Sequence, residues 1–527
     1  MPLTTTYAPT AMVASVDHLA STAGAAMLRD GGNAVDAAIA ASAVLAVTSP
    51  HLCGMGGDLF ALVHRPGDAA PAVLNASGRA GSGADPDRLR GDGHATMPAV
   101  GDVRTAPVPG CVDGWLALHD RFGRLPFATI LEPAIGYAAN GFPCSPLLAF
   151  LLPELRGVAG AEGLVGDGRR PGDLLDRPGV AAALRAIVRE GRAGFYGGAF
   201  GEGLLALGGG EYTPADLEVV QADWVEPLVA RVWEHDVWTV PANSQGYLTL
   251  LGLRLAEGLD RRGDLGDDPT DARWAHALIE AARAAGHDRT RQLHEHADTA
   301  PLLGSAEVER RLALIGPDAR TDLVAPSGAG DTMYLCAVDA DRMGVSLIQS
   351  NASGFGCHVF EPATGIGLHN RGIGFSLVAG HPAEYGPGRR PPHTLSPALV
   401  TRPDHSLRSV VGTMGGDTQP QILLQVITRL LRHGQSAGAC IDRPRWALSG
   451  EGRSRFDTWA APDAVIVDVE SSGASWHDGL VARGHPVRMI EGISGSFGHA
   501  QLIEVRPDGG LGGAADPRAL ISAAVGF

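Results

Sequence analysis

The sequence predicts a mixed α+β or layered α/β fold around one large core. Helical patterns dominate between about residues 100 and 320, strands with tight turns dominate after 330, and the two kinds interleave. Hydrophobic residues make up 45% of the 527, enough to bury a sizeable interior. No Ser/Gly or Pro-rich linker, charge run or internal repeat divides the chain, so a single unit is the economical reading.

The elements follow in order. Asp17 or Ser15 caps a helix over 19–29 that Gly31 and Gly32 stop, and Asn33 caps an alanine-rich helix over 34–46. The turn Gly54-Met55-Gly56-Gly57 leads into a strand over 59–64, followed by one over 72–75. The middle is represented by helices over 111–121 and 272–285, with short strands such as 237–240 between. Later strands are expected over 333–338, 344–350, 398–400 and 409–411, then a helix over 420–433. Strands 333–338 and 344–350 flank a turn; centring it on Asp341 pairs residues whose numbers sum to 682. That register sets Thr332 opposite Ser350 at the open end of a β-hairpin. Two hydroxyls meet there, although Thr and Ser are also ordinary cross-strand partners.

Composition closes several routes. All 42 Lys+Arg residues are arginine, which excludes a Schiff-base lysine and a Walker-type phosphate loop. A net charge of -16 without a basic cluster argues against a nucleic-acid partner. The glycine loop 54–57 precedes a strand and does not open a helix, so a tight turn is the better reading than a phosphate site. His276, His287, His294 and His296 lack the spacing that sets two imidazoles on one helical face, and the six cysteines are scattered, so no metal and no cofactor is expected. No GxSxG elbow is present. The first ten residues carry no secretory pattern and the longest apolar run, 34–47, is too short to span a bilayer. A reduced, cytoplasmic protein without membrane contact is the expectation.

One set of motifs is more specific together than singly. Gly32-Asn33-Ala34-Val35-Asp36-Ala37-Ala38, Pro50-His51 through Gly57, Gly330-Asp331-Thr332 before its strand, Leu395-Ser396-Pro397, Gly412-Thr413-Met414-Gly415-Gly416 and Gly498-His499-Ala500-Gln501 occur in that order. In this the chain resembles the gamma-glutamyltransferase family, over about 11–517. The resemblance implies a four-layer αββα sandwich of the N-terminal nucleophile hydrolase type, α+β in class, made as a single 1–527 precursor. It implies self-cleavage between Asp331 and Thr332 into a large subunit, 1–331, and a small catalytic subunit, 332–527. Thr332 then attacks a small-molecule amide, and water or an amine acceptor resolves the acyl-enzyme. Ser350 matches the hydroxyl that orients the nucleophile, and Gly415 and Gly416 match the oxyanion-hole pair. His393 and Thr394 fall where the family has two carboxylate-binding serines, and Arg79, Asn351 and Arg371 complete the candidate substrate-binding set. Whether two heterodimers associate stays open.

The departures concentrate in the pocket that reads glutamate. Gly374 stands in the place of the aspartate that binds the α-amine, Arg371 in that of a neighbouring Gln or Glu, and Ala352 in that of an asparagine. The family's carboxylate-binding arginine aligns with Ser77; Arg79, two residues on, would share its face if the segment were a strand. An arginine in place of an acid disfavours an ammonium and favours a carboxylate or carbonyl. Three readings therefore stand. The enzyme cleaves γ-glutamyl amides as a glutathione hydrolase or transferase, with Asp417 or Glu361 supplying the missing carboxylate. Alternatively, it is an amidohydrolase or acylase for dicarboxylic monoamides of the oxamate or glutaryl type. The third reading is a scaffold that never matures and acts as a binding protein.

Overall fold

The structure, a computed structural model, describes residues 4–320, 332–450, 465–492 and 494–527. Among them, two seven-stranded antiparallel sheets lie between two helical layers, the αββα order expected above. One sheet runs from edge to edge through Thr6–Ala8, Leu511–Ala515, Ala500–Val505, Leu407–Thr413, Ala398–Thr401, His235–Thr239 and Leu228–Val232. The other runs through Ala523–Gly526, Met12–Ser15, Met333–Val338, Gly344–Ser350, Asp58–His64, Ala72–Ala76 and Asp223–Val225.

Alternation along each strand builds the layers. In Asp58–His64, Leu59, Ala61 and Val63 meet the helices, while Phe60 and Leu62 enter the space between the sheets. Met333–Val338 repeats this, with Leu335 and Ala337 outward and Tyr334 and Cys336 inward. Apolar residues at both parities are what a strand covered on both faces requires. Each fully buried Leu, Ile or Phe side chain contributes about 1.5–3 kcal/mol of transfer free energy.

The buried helix Ala34–Thr48 positions the site. All 15 of its residues are buried, and Asn33 closes a capping box with Asp36. Its end lies two residues past the expected 46, where Thr48 Oγ1 donates to Asp17 Oδ2 at 2.7 Å. Its interior Ser42 donates to Gln349 Oε1 at 2.7 Å and accepts from Trp115 Nε1 at 2.7 Å, while Gln349 Nε2 donates to Ser42 O at 2.9 Å. Leaving one of these buried groups unpaired would cost about 1–3 kcal/mol. The clasp therefore pins strand Gly344–Ser350 from the helical side one residue before its end. On the far side, helices Tyr247–Arg261 and Gln419–Leu431 cover the other sheet, with Leu250 and Ile422 in the shared core, and Ala272–Gly286 packs on both helices. No described helix is long and apolar enough to cross a membrane.

Candidate active site

The hairpin pairs in the expected register: Met333 faces Gln349 and Val338 faces Gly344. Thr332, one residue outside the strand, is fully buried, and its Oγ1 lies 3.0 Å from Ser350 Oγ. By alternation both hydroxyls point between the sheets, on the side of Tyr334 and Ile348. Asp331, and with it the expected 331/332 junction, lies outside the described residues.

A hydrogen-bond chain runs outward from this pair. Ser350 Oγ accepts from the Ala352 amide at 2.8 Å and from Arg371 Nη2 at 3.4 Å. Arg371 Nη1 donates to Thr394 Oγ1 at 2.9 Å. Gln245 Nε2 donates to both Thr394 O and Gly416 O, each at 2.9 Å. Gly415 and Gly416 have φ of 137° and 57°, backbone that favours glycine, and among the described residues neither amide donates to a protein acceptor. Thr332, Ser350, Thr394 and the glycine pair thus belong to one connected group, with Arg371 at its centre.

Arg371 is 2% exposed in the short turn Arg371–Gly374. Its Nε has no hydrogen-bond partner, and no described carboxylate lies within ion-pair distance of it. Burial pushes its pKa down to about 10, against the opposing charges of Asp58 and Asp417, so it is still a cation at neutral pH. Desolvating a guanidinium is costly unless a counter-charge arrives; an anionic substrate group would supply one.

Two of the expected substrate-binding side chains make protein contacts of their own. His393 has no ring nitrogen left for a ligand: Nε2 donates to Asp58 Oδ2 at 3.0 Å and Nδ1 accepts from the Leu395 amide at 3.3 Å. Burial, then the Arg371 charge, push its pKa down to about 3, so the ring is neutral. Arg79 does not share a strand face with Ser77, because the ladder ends at Ala76. The Gly78 amide turns instead to Asp58 Oδ1 at 2.8 Å, and Arg79 pairs with Asp223 at 2.7 Å and Gln221 Oε1 at 3.3 Å. It makes no hydrogen bond to the Thr332 group. Asn351 lies beside the group: Nδ2 donates to Pro50 O at 3.1 Å, while Oδ1 has no hydrogen-bond partner. The glycine loop is a tight turn packed backbone to backbone, since a Cβ on Gly57 would sit 2.3 Å from Ser350 O.

The pocket has no room for the family's aspartate. A Cβ on Gly374 would lie 2.4 Å from Pro392 O. Both alternative carboxylates are already engaged. Asp417 forms a buried ion pair with Arg289 at 2.5 Å, although neither of its oxygens has a hydrogen-bond partner among the described residues. Glu361 accepts from the Ala363 and Thr364 amides at 2.9 and 2.8 Å and from Thr364 Oγ1 at 2.5 Å.

Two members were not anticipated. Asp58 heads a strand that is apolar from Leu59 to Val63, a signal available in the sequence; Gln245 sits in an irregular stretch with none.

Comparison with known proteins places the whole chain and its fold. The gamma-glutamyltranspeptidase family model matches residues 20–526. The oxamate amidohydrolase proenzyme of Klebsiella pneumoniae is 34% identical, over 96% of this chain and 97% of that protein. The glutathione hydrolase-like YwrD proenzyme of Bacillus subtilis is also 34% identical, with the same coverage. Among solved structures, the cephalosporin acylase from Bacillus halodurans superposes with a TM-score of 0.89 at 31% identity, over 99% of this chain and 97% of that one.

Proposed function

The chain belongs to the gamma-glutamyltranspeptidase family, and on that premise we propose that it is a self-processing amidohydrolase whose acyl substrate carries a carboxylate but no α-ammonium. Arg371 carries this reading: it is a buried cation beside the hydroxyl pair, with an unpartnered Nε and no ion-paired carboxylate among the described residues. The oxamate amidohydrolase proenzyme among the relatives supports the acyl class.

Maturation and turnover use the same hydroxyl. In the precursor, Thr332 Oγ attacks the carbonyl of residue 331, the acyl group moves from nitrogen to oxygen, and water hydrolyses the ester. Cleavage frees the Thr332 α-amine, whose reference pKa of about 7.7–8.0 suits a base for its own hydroxyl near neutral pH. In the heterodimer of 1–331 and 332–527 the amine takes the Oγ proton as Oγ attacks the substrate amide, then passes it to the leaving nitrogen. The amides of Gly415 and Gly416 receive the developing oxyanion, a contribution of about 2.7–4 kcal/mol per donor in well-built holes. Ser350 and Arg371 fix the Oγ and the substrate carboxylate respectively, and Thr394 shares the Arg371 guanidinium with the substrate. The same amine then activates water, or an amine acceptor, to release the acid. Six unpaired, buried thiols suit a reducing cytoplasm.

The γ-glutamyl reading needs a carboxylate for the substrate ammonium, and the ion pair of Asp417 with Arg289 and the hydrogen bonds that hold Glu361 weigh against it. Turnover of glutaryl-p-nitroanilide against γ-glutamyl-p-nitroanilide, together with ammonium release from oxamate, tests the proposal. Faster turnover of a carboxylate-bearing acyl group without the amine is expected; a clear preference for γ-glutamyl-p-nitroanilide would overturn it.

A further inference from the structure

Asp58 is a fully buried carboxylate that makes no arginine ion pair among the described residues. Its Cα pairs in register with that of Ser350, so it stands on the strand next to the one that holds the nucleophile's partner. Oδ1 accepts from the Gly78 amide at 2.8 Å, Oδ2 accepts from His393 Nε2 at 3.0 Å, and His369 Nδ1 lies 3.4 Å from Oδ2. Three segments that surround the site, 77–79, 369–371 and 393–394, therefore converge on one side chain.

The carboxylate decides the tautomer of His393. It accepts and cannot donate, so the neutral ring must carry its proton on Nε2. Nδ1 is then a lone pair, and it accepts the Leu395 amide at 3.3 Å. Between the two anchored positions lies Thr394, whose Oγ1 accepts from Arg371 and whose carbonyl shares Gln245 with Gly416. The opposite tautomer would set the Nδ1 proton against the Leu395 amide proton and displace Thr394. His393 also packs edge-on against Phe60, with ring centroids 4.8 Å apart, so the ring cannot turn freely to escape the conflict.

We infer that Asp58 is a positioning residue for substrate recognition, acting through the His393 tautomer to hold Thr394 and Arg371 where the acyl group binds. The inference rests on the substrate-binding role proposed above for Arg371 and Thr394. It makes the Asp58–His393 pair a specificity element, although neither side chain meets the substrate. Such supporting contacts typically change activity by about 10- to 100-fold.

Asp58→Asn tests it in the mature enzyme. The amide can still accept from Gly78, but its NH2 now faces His393 Nε2 and drives the ring to the Nδ1–H form. Nitrogen NMR of 15N-histidine-labelled protein is expected to report the Nε2–H tautomer for His393 in the wild type and its loss in the variant. This readout involves no substrate, so its failure is distinct from failure of the proposed acyl specificity. With whichever acyl substrate the wild type prefers, kcat/KM is expected to fall about 10- to 100-fold, carried by KM, while self-cleavage still yields two chains. If Asp58→Asn does not fold, His393→Gln serves. Its amide still donates to Asp58 while the Leu395 acceptor is lost, and the same rise in KM is expected. An unchanged His393 tautomer in Asp58→Asn, or wild-type KM in either folded variant, would overturn the inference.

Discussion

Thr332 Oγ1 and Ser350 Oγ, 18 residues apart in sequence, lie 3.0 Å from each other in a fully buried setting between the sheets. The contact makes two variants separable. Thr332→Ala removes the proposed nucleophile and should leave a single chain of 527 residues on a denaturing gel, where the wild type is expected to give chains of 331 and 196. Ser350→Ala keeps the nucleophile but loses the Oγ contacts to Thr332, the Ala352 amide and Arg371, each worth about 0.5–1.5 kcal/mol or more once partners are left unpaired. Cleavage and amide turnover should then slow together by about 10-fold. Rapid splitting of Thr332→Ala would remove Thr332 from the mechanism, and a permanently uncut wild type would favour the scaffold reading.

Arg371 donates to Thr394 Oγ1 at 2.9 Å and leaves Nε unpartnered in the interior. If Nε and its neighbour bind the substrate carboxylate, Arg371→Met should lower kcat/KM for glutaryl-p-nitroanilide by about 10- to 150-fold, the equivalent of one charge-assisted hydrogen bond of about 1.5–3 kcal/mol. Arg371→Lys keeps the charge but not the planar fork, so it should restore only part of the loss. Equal activity in all three proteins would show that the guanidinium does not meet the substrate.

Where local pattern determines geometry, the sequence was readable. The hairpin register followed from the alternation of Met333–Val338 and Gly344–Ser350 about one turn, which is why the Thr332–Ser350 contact could be anticipated. Helix caps at Asp17 and Asn33 followed from side-chain chemistry that acts within three residues. The surroundings of Arg79 were not legible, because the strand ends at Ala76 and the Gly78 amide turns to Asp58, 20 residues away in sequence. The His393 contact was hidden for a related reason: its partner Asp58 is 335 residues distant, and no local spacing announces such a pair. Gln245, which ties Thr394 to Gly416, is a long-range link of the same kind.

Restoring the family's aspartate should not restore glutamate recognition. In Gly374→Asp the new Cβ would start 2.4 Å from Pro392 O, a backbone atom that cannot rotate away. Overpacking of this kind costs about 1–3 kcal/mol, and the strain falls on the segment leading to His393 and Thr394. A lower melting temperature and no gain in γ-glutamyl-p-nitroanilide hydrolysis are expected. A variant that melts like the wild type and hydrolyses that substrate would mean the pocket still accommodates an amine-binding acid.

Mild acid should destabilise the fold through its buried histidines. Burial pushes His51, His393 and His485 down to about 3 and His499 to about 4, against about 6.5 for an unfolded chain. Below pH 6.5 the unfolded state takes up protons that the folded state refuses, so stability falls as pH falls, by up to about 1.4 kcal/mol per pH unit for each histidine. Raised carboxyls such as Asp17 and Asp417 act in the opposite sense, by protonating first in the folded state, and Asp58 loses its contribution only once pH drops below the ordinary carboxylate range. The histidine effect therefore dominates from pH 6.5 down to about 5. His485 isolates it. His276 Nε2 faces Gly316 O at 3.0 Å and must donate, so His276 Nδ1 accepts from His485 Nε2 at 2.8 Å. His485→Gln can keep that donor without the titration. Melting curves between pH 5 and 7 should show a steep acid-side loss in the wild type and a shallower one in His485→Gln, by up to about 1.4 kcal/mol per pH unit. A pH-independent melting temperature, or identical slopes, would mean that His485 is not held neutral in the folded state.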